Sequence, residues 1–183
     1  KIQDYNENNA VSSYTIDIEN SNIKWVGKKI ASSHEGLIKI SSGDILMKGN
    51  HVQSGLIIVD MVSIENTDIE NEKYRNKLNG HLKNEDFFNV DSFPTSTLKI
   101  NSSHKLNASK FSFLGDLTIK DITHPVEFEG NINSIDDKYS AIIKLNFDRT
   151  LWEIQYGSGQ FFDDLGDRMI LDNIELEIKI ITQ

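Results

Sequence analysis

Apolar and polar residues alternate with a period of two through almost the whole chain, and this pattern constrains the fold more than any other feature. Tyr139, Ala141, Ile143, Leu145 and Phe147 alternate without a break. Phe111, Phe113, Leu117 and Ile119 share one face with Gly115, and Val126, Phe128, Gly130 and Ile132 follow Pro125 in register. Ile170, Ile174, Leu176, Ile178 and Ile180 close the chain. Upstream, Tyr14, Ile16 and Ile18 alternate with polar neighbours. After an Asn-Ser-Asn turn, Ile23, Trp25 and Gly27 do the same. A period of two belongs to strands with one buried face. Roughly eight to ten such segments joined by short loops imply antiparallel pairing. Sheets of that strand number close on themselves or fold into a sandwich.

The remaining strands are less regular. His34–Ile40 and Asp44–Met47 read as two short strands around Ser41-Ser42-Gly43. Val52–Ile64 reads as one long strand, and Thr95–Asn101 as a strand behind Pro94. The run Ile57-Ile58-Val59 predicts burial on both faces over the middle of the long strand. Alternation places Trp25, Ile58, Phe113, Phe128, Leu145 and Leu176 inward. Gly27, Gly55 and Gly115, inside strands, suit bulges, tight bends or the close approach of a ligand.

One stretch breaks the pattern. Tyr74, Leu78 and Leu82 recur at four-residue spacing beside His81, and the segment runs into Phe87, Phe88 and Phe93 before Pro94. The spacing predicts a helix over Glu70–Asn84. A short amphipathic helix with an aromatic cluster inside an all-β chain reads either as a lid over a barrel mouth or as a filler at the end of a core. A second helix over Gly157–Gly166 is opposed by its glycines, which favour a loop. The expected fold is therefore all-β with one or two short helices: an extended antiparallel barrel capped by a helix. It forms a single domain over residues 14–183, behind a polar, aperiodic N-terminal tail over residues 1–13.

A chain of 183 residues can bury a sizeable core without staples. It has no cysteine, so neither disulfides nor thiolate metal sites are available. The net charge of −9 opposes nucleic acid and anionic membrane surfaces as partners. No apolar run is long enough to span a bilayer as a helix. The five histidines form neither H-x-H nor H-E-x-x-H, so no metal and no cofactor is predicted. His34-Glu35 and His81 are candidates to converge in space. Gly157-Ser158-Gly159 lacks the strand–turn–helix setting of a nucleophile. Asp163-Asp164 and Asp167 lack calcium-loop spacing and read as a surface turn. Asp148-Arg149 reads as an ion pair closing a loop or as a polar anchor for a ligand head group. No catalytic residue is singled out.

Five ordered motifs carry a resemblance. They are Val59-Asp60-Met61-Val62-Ser63-Ile64; the run KLNGHLKNEDFF from Lys77 to Phe88, with Asn89-Val90 and Phe93-Pro94; Gly115-Asp116-Leu117-Thr118-Ile119 with Thr123-His124-Pro125-Val126; Phe147-Asp148-Arg149 with Trp152 and Gly157; and Asp167 with the strand after Asp172. Together they span about residues 14–182 and resemble the YceI-like family of bacterial lipid-binding proteins. Leu98, Asp121 and Glu153 depart from the family's usual residues. The resemblance implies a lipocalin-like barrel whose hydrophobic cavity holds a long isoprenoid or acyl lipid, a polyprenyl chain or a quinone. It also implies a periplasmic or otherwise exported chain from which a signal peptide or lipid anchor has been removed, and it leaves a homodimer open.

The physics of such a container is simple. An apolar chain binds by leaving water, and twenty buried carbons give a gross gain of roughly 16 kcal/mol at ~0.8 kcal/mol per CH₂. Ordering the ligand takes much of this back. The expected ligand contacts are Trp25, Ile58, Leu78, Leu82, Phe87, Phe88, Phe113 and Trp152, with His81 and Arg149 as polar neighbours of a head group. A non-catalytic carrier is the first reading, and an enzyme acting on the bound lipid or another small molecule is the alternative.

Overall fold

The structure, a computed structural model, describes residues 10–183. Its strands are β1 (Val11–Thr15), β2 (Asn22–Lys29), β3 (Ser33–Lys48), β4 (His51–Asn66), β5 (Thr95–Lys105), β6 (Lys110–Ile119), β7 (Ile122–Ile135), β8 (Lys138–Asp148) and β9 (Ile170–Ile181). Among the described residues one α-helix, α1 (Glu72–Lys83), lies between β4 and β5. Every pairing is antiparallel. From β4 to β9 each strand pairs with the next in sequence, β9 pairs with β2, and β3 bridges β2 to β4, so the sheet closes into a barrel.

The expected tail over residues 1–13 falls outside the described residues for 1–9, and Val11–Ser13 belong to β1. β1 and β2 lie end to end along β3: Val11–Thr15 stand opposite Lys48–Asp44, and Ile23–Lys28 opposite Ile38–Ser33. They occupy one broken position in an eight-position barrel. The break is a turn held by Asp17, whose carboxylate accepts from the Glu19 and Asn20 N–H groups at 3.2 and 3.3 Å.

The two short strands expected around Ser41-Ser42-Gly43 are one strand of 16 residues. The sequence signal there marks a bulge, with the β3–β4 register shifting between Ile40 and Ser42. A bulge keeps the ladder going while bending the strand. β5 likewise runs past its expected end at Asn101, through a register shift between Ile100 and Ser102. Lys120-Asp121 and Asp136-Asp137 make two-residue hairpin turns with φ of 52° and 60°, and 50° and 62°. Positive φ at both central positions matches the right-handed twist of the flanking strands.

Alternation resolves as predicted for Trp25, Phe113, Phe128, Leu145 and Leu176, which face the interior. Ile58 does not. The run Ile57-Ile58-Val59 is compatible with either phase, and the strand places Ile57, Val59 and Met61 in the core with Ile58 on the outer face. The burial of both faces expected over the middle of β4 is thus replaced by alternation across Ile57–Met61, and the buried parity changes on either side, at Val52 and at Ile64. Gly157–Gly166 is not an α-helix; a single 3-10 turn follows at Gly166–Arg168, and another covers Arg149–Trp152.

α1 falls within the predicted span. Asn71 caps its N-terminus by accepting from the Tyr74 N–H at 3.2 Å, with Glu72 in the first turn and Lys83 in the last. Leu82 is buried and Leu78 half-buried, while Tyr74 is 62% exposed. Four-residue spacing drifts about 40° per step on a helix of 3.6 residues per turn, which carries Tyr74 off the buried face. The helix is tied to the barrel through Asn66, which is 2% exposed. Its amide donates to the Glu35 carbonyl at 3.0 Å and to the Asp68 carboxylate, its carbonyl accepts from the Ile69 N–H at 3.0 Å, and its backbone N–H donates to Asn79 Oδ1 on α1 at 2.7 Å.

Asn66→Ala leaves the Ile69 N–H unpaired and removes one of two donors from the Glu35 carbonyl, which keeps the Thr67 N–H at 3.0 Å, and the expected cost is roughly 1–3 kcal/mol. Urea denaturation measures it, and amide exchange that speeds up at Thr67–Ile69 more than in β6–β8 identifies the segment leading into α1 as the part loosened, since the backbone bond to Asn79 survives the substitution. Acid acts on the same anchor. Desolvation pushes the Asp68 carboxyl up, but hydrogen bonds from Asn66, His34 and the Glu35 N–H outweigh it and hold the group below its usual range. A carboxyl that titrates lower in the folded state contributes stability above its unfolded value and loses it as pH falls through the folded one. Asp68→Asn is therefore expected to lose less stability than the wild type between neutral pH and about pH 3, as read by thermal melts at both ends.

Candidate ligand-binding site

Beneath α1, at one end of the barrel, lies a cavity of about 160 Å³. Its wall is carbon almost throughout. Trp25 enters from β2, Val59 and Met61 from β4, Leu117 and Ile119 from β6, Phe147 from β8, and Ile174 and Leu176 from β9. The lid contributes Leu78 and Leu82 from α1 and Phe87 and Phe88 from the turn behind it. That turn is held by backbone bonds back to the helix: the Phe88 N–H donates to the Leu82 carbonyl at 3.1 Å, and the Val90 N–H to the Lys83 carbonyl at 3.0 Å. An engineered cavity of about 150 Å³ lined by Leu, Ile and Phe stays dry and takes one benzene ring, which sets the scale of what this space encloses.

Trp25 lies over Gly36. A Cβ on Gly36 would stand 2.6 Å from Trp25 Cζ2 and 1.8 Å from the Glu65 carbonyl oxygen. Only glycine leaves room for the indole to lie against the sheet. Two polar atoms of cavity-lining residues, Trp25 Nε1 and Ser96 Oγ, are buried without a hydrogen-bond partner among the described residues.

Of the ten residues singled out from sequence, the structure brings Trp25, Leu78, Leu82, Phe87, Phe88 and Arg149 to this cavity. Ile58 points outward. Phe113 faces a smaller second cavity deeper in the barrel. Trp152 stands one layer behind the wall: its Nε1 donates to the Leu117 carbonyl at 3.2 Å, and its ring meets Phe147 and His124 edge-on at 5.3 and 5.0 Å. His81 is outside the wall. It bonds Asp86 at 2.9 Å and packs edge-on against Phe87 and Tyr156 at 4.9 and 4.6 Å, so it latches the lid to the loop after β8. His34 reaches the cavity rim, held by Asp68 at 3.0 Å. The two histidines thus sit in separate contacts.

Arg149 reaches the cavity but has no donor to offer it. Nε donates to the Leu171 carbonyl at 3.3 Å. Nη1 donates to the Ile154 and Tyr156 carbonyls at 2.8 and 2.9 Å. Nη2 donates to the Ile170 carbonyl at 3.1 Å and to Asp172 Oδ1 at 3.3 Å. A guanidinium has five N–H groups, and all are used. Burial pushes its pKa down, while Asp172 and Asp148 push it up. Instead of facing a head group, Arg149 ties the loop after β8 to the start of β9. Sequence reasoning missed Asn66 and Ser96, since a lone polar residue inside an alternating strand carries no signal of its partners. Among the described residues no three His, Asp or Glu side chains converge on a metal position, and no helix is long and apolar enough to cross a membrane.

Comparison with solved structures shows the same fold elsewhere. BcnA of Burkholderia cenocepacia matches with a TM-score of 0.74 at 18% identity, over 92% of this chain and 99% of that chain. A polyisoprenoid-binding domain from Saccharophagus degradans, implicated in plant cell wall breakdown, matches with a TM-score of 0.68 at 12% identity, over 93% of this chain and 97% of that one. The YceI protein of Campylobacter jejuni matches with a TM-score of 0.54 at 18% identity, over 73% and 74% of the two chains. Comparison with curated protein sequences gives no match. The family model of the YceI-like domain matches residues 14–182, the closed barrel with its helix, and the chain belongs to that family.

Proposed function

We propose that this protein is a non-catalytic carrier that holds an isoprenoid-type lipid, a polyprenyl chain or a quinone, with its apolar end under α1. The observation that carries this reading is the carbon-lined cavity closed by Leu78, Leu82, Phe87 and Phe88. Such a wall binds by removing hydrocarbon from water and needs no reactive group. Similarity to a polyisoprenoid-binding domain supports the choice of ligand class. An exported location goes with this reading, supported by the resemblance to exported family members.

The alternative, an enzyme acting on the bound lipid, draws on one observation: His34 stands at the cavity rim with Asp68 holding its Nδ1. Chemically altered ligand recovered from wild type and absent from His34→Ala would favour it.

Organic extraction of the purified protein, followed by mass spectrometry, tests the carrier. A prenyl or quinone species near one equivalent is expected. No bound lipid, and no uptake from prenol-containing micelles, would refute the reading.

Arg149→Gln is expected to lower stability by roughly 3–5 kcal/mol, because four carbonyls and Asp172 lose a buried cationic partner. Arg149→Lys recovers little of it, since an ammonium cannot reproduce the planar fork. Ranking of prenol, quinone and hydrocarbon ligands in competition assays should stay the same in whatever fraction of either variant is folded.

A further inference from the structure

The barrel interior is interrupted partway along its axis. The cavity under α1 is bordered by Ile38 on β3, Ser96 on β5, Leu117 on β6, Phe147 on β8 and Leu176 on β9. A second cavity of about 30 Å³ is bordered by Ile45, Ile100, Phe113, Ile143 and Ile180 on the same five strands. Between the two sets each strand carries an inward residue that borders neither space: Ile40, Leu98, Gly115, Leu145 and Ile178. β7 adds Phe128. The five side chains of this layer, all but Gly115, are at most 3% exposed.

Phe128 and Gly115 build the centre of the layer. The Phe128 ring stacks on Phe113 at 5.2 Å with 13° between planes. A Cβ on Gly115 would lie 3.3 Å from Phe128 Cε1 and 2.4 Å from the Lys99 carbonyl oxygen. The missing side chain leaves room for the ring to lie inward over β6. An interior packed at organic-crystal density passes no chain through such a layer without moving side chains.

We infer that the layer formed by Ile40, Leu98, Phe128, Leu145 and Ile178 is a floor that sets how much of an apolar ligand the barrel encloses, with Phe128 as its central residue. The inference rests on the carrier reading and narrows it: the enclosed part is a short hydrocarbon segment in the upper cavity, and the lower cavity stays out of reach. Units beyond that segment remain outside and add no affinity.

The test uses geraniol, farnesol and geranylgeraniol, linear prenols that grow by one isoprene unit a step. Each displaces a fluorescent apolar probe from wild type, Phe128→Ala, Leu145→Ala and Ile100→Ala, with circular dichroism melts to confirm folding. Wild-type affinity is expected to level off by farnesol. Two further buried methylenes correspond to about tenfold, so geranylgeraniol should bind Phe128→Ala at least about tenfold tighter than farnesol. Leu145→Ala opens the same layer and keeps the test alive if Phe128→Ala does not fold. Ile100→Ala enlarges only the lower cavity and should keep the wild-type profile. Affinity in the wild type that climbs as steeply to geranylgeraniol as in Phe128→Ala would overturn the floor and leave the carrier standing. The same gain in Ile100→Ala as in Phe128→Ala would overturn it too. Prenols that bind none of the four proteins would remove the carrier reading and the floor with it.

Discussion

Closure of the sheet through β3 is the constraint on which the rest of the structure depends. An open antiparallel sheet of this length leaves two unpaired edges and no enclosed space. β3 removes both edges because its 16 residues pair with β4 along one side and with β2 and then β1 along the other. The bulge after Ile40 and the break between β1 and β2 are how a strand so long bends around a barrel while keeping its ladder. The interior that results is available to every inward side chain, and period-two alternation fills it with carbon.

A barrel closed on its sides is still open at its ends, and the two ends are treated differently. At the far end, Tyr139 packs edge-on against Tyr14 at 4.9 Å and donates its hydroxyl to the Gly49 carbonyl at 3.0 Å. Burial and the neighbouring Tyr14 raise the Tyr139 pKa, so that hydroxyl stays protonated and donating. At the helix end, closure is by α1, whose buried face is narrow. The polar hub at Asn66 supplies what that face lacks, and the His81–Tyr156 contact latches the other end of the helix. A lid held by a few polar contacts opens locally at lower cost than a strand inside a closed ladder. Among the described residues, the helix end is thus the more weakly tied of the two closures.

Arg149 shows how a motif can be legible while its role is not. The sequence places an arginine after a strand that ends in Asp148, near Trp152, and either a loop-closing ion pair or a ligand anchor suits that position. What decides between them is how many of five donors are spent, and the partners, Ile154, Tyr156, Ile170, Leu171 and Asp172, lie 5 to 23 residues away. Trp152 was misplaced for a similar reason. An aromatic next to a predicted site reads as its lining, yet here it buttresses Leu117 and Phe147, which are the lining.

The sequence by itself determined the all-β class, the antiparallel pairing, the lid helix to within two residues of its ends, and most inward faces. Each of these follows from local periodicity and turn chemistry, which act over a few residues. Only the tertiary structure decided the rest. It chose the phase of Ile57-Ile58-Val59, joined β3 across its bulge, and drew Val11–Ser13 into the barrel. It also spent the donors of Arg149 on the loop after β8 and the start of β9, and set Phe128 over Gly115. All of these depend on which residues meet across strands far apart in sequence, and that is fixed by ring closure and by the volume left once the walls are packed.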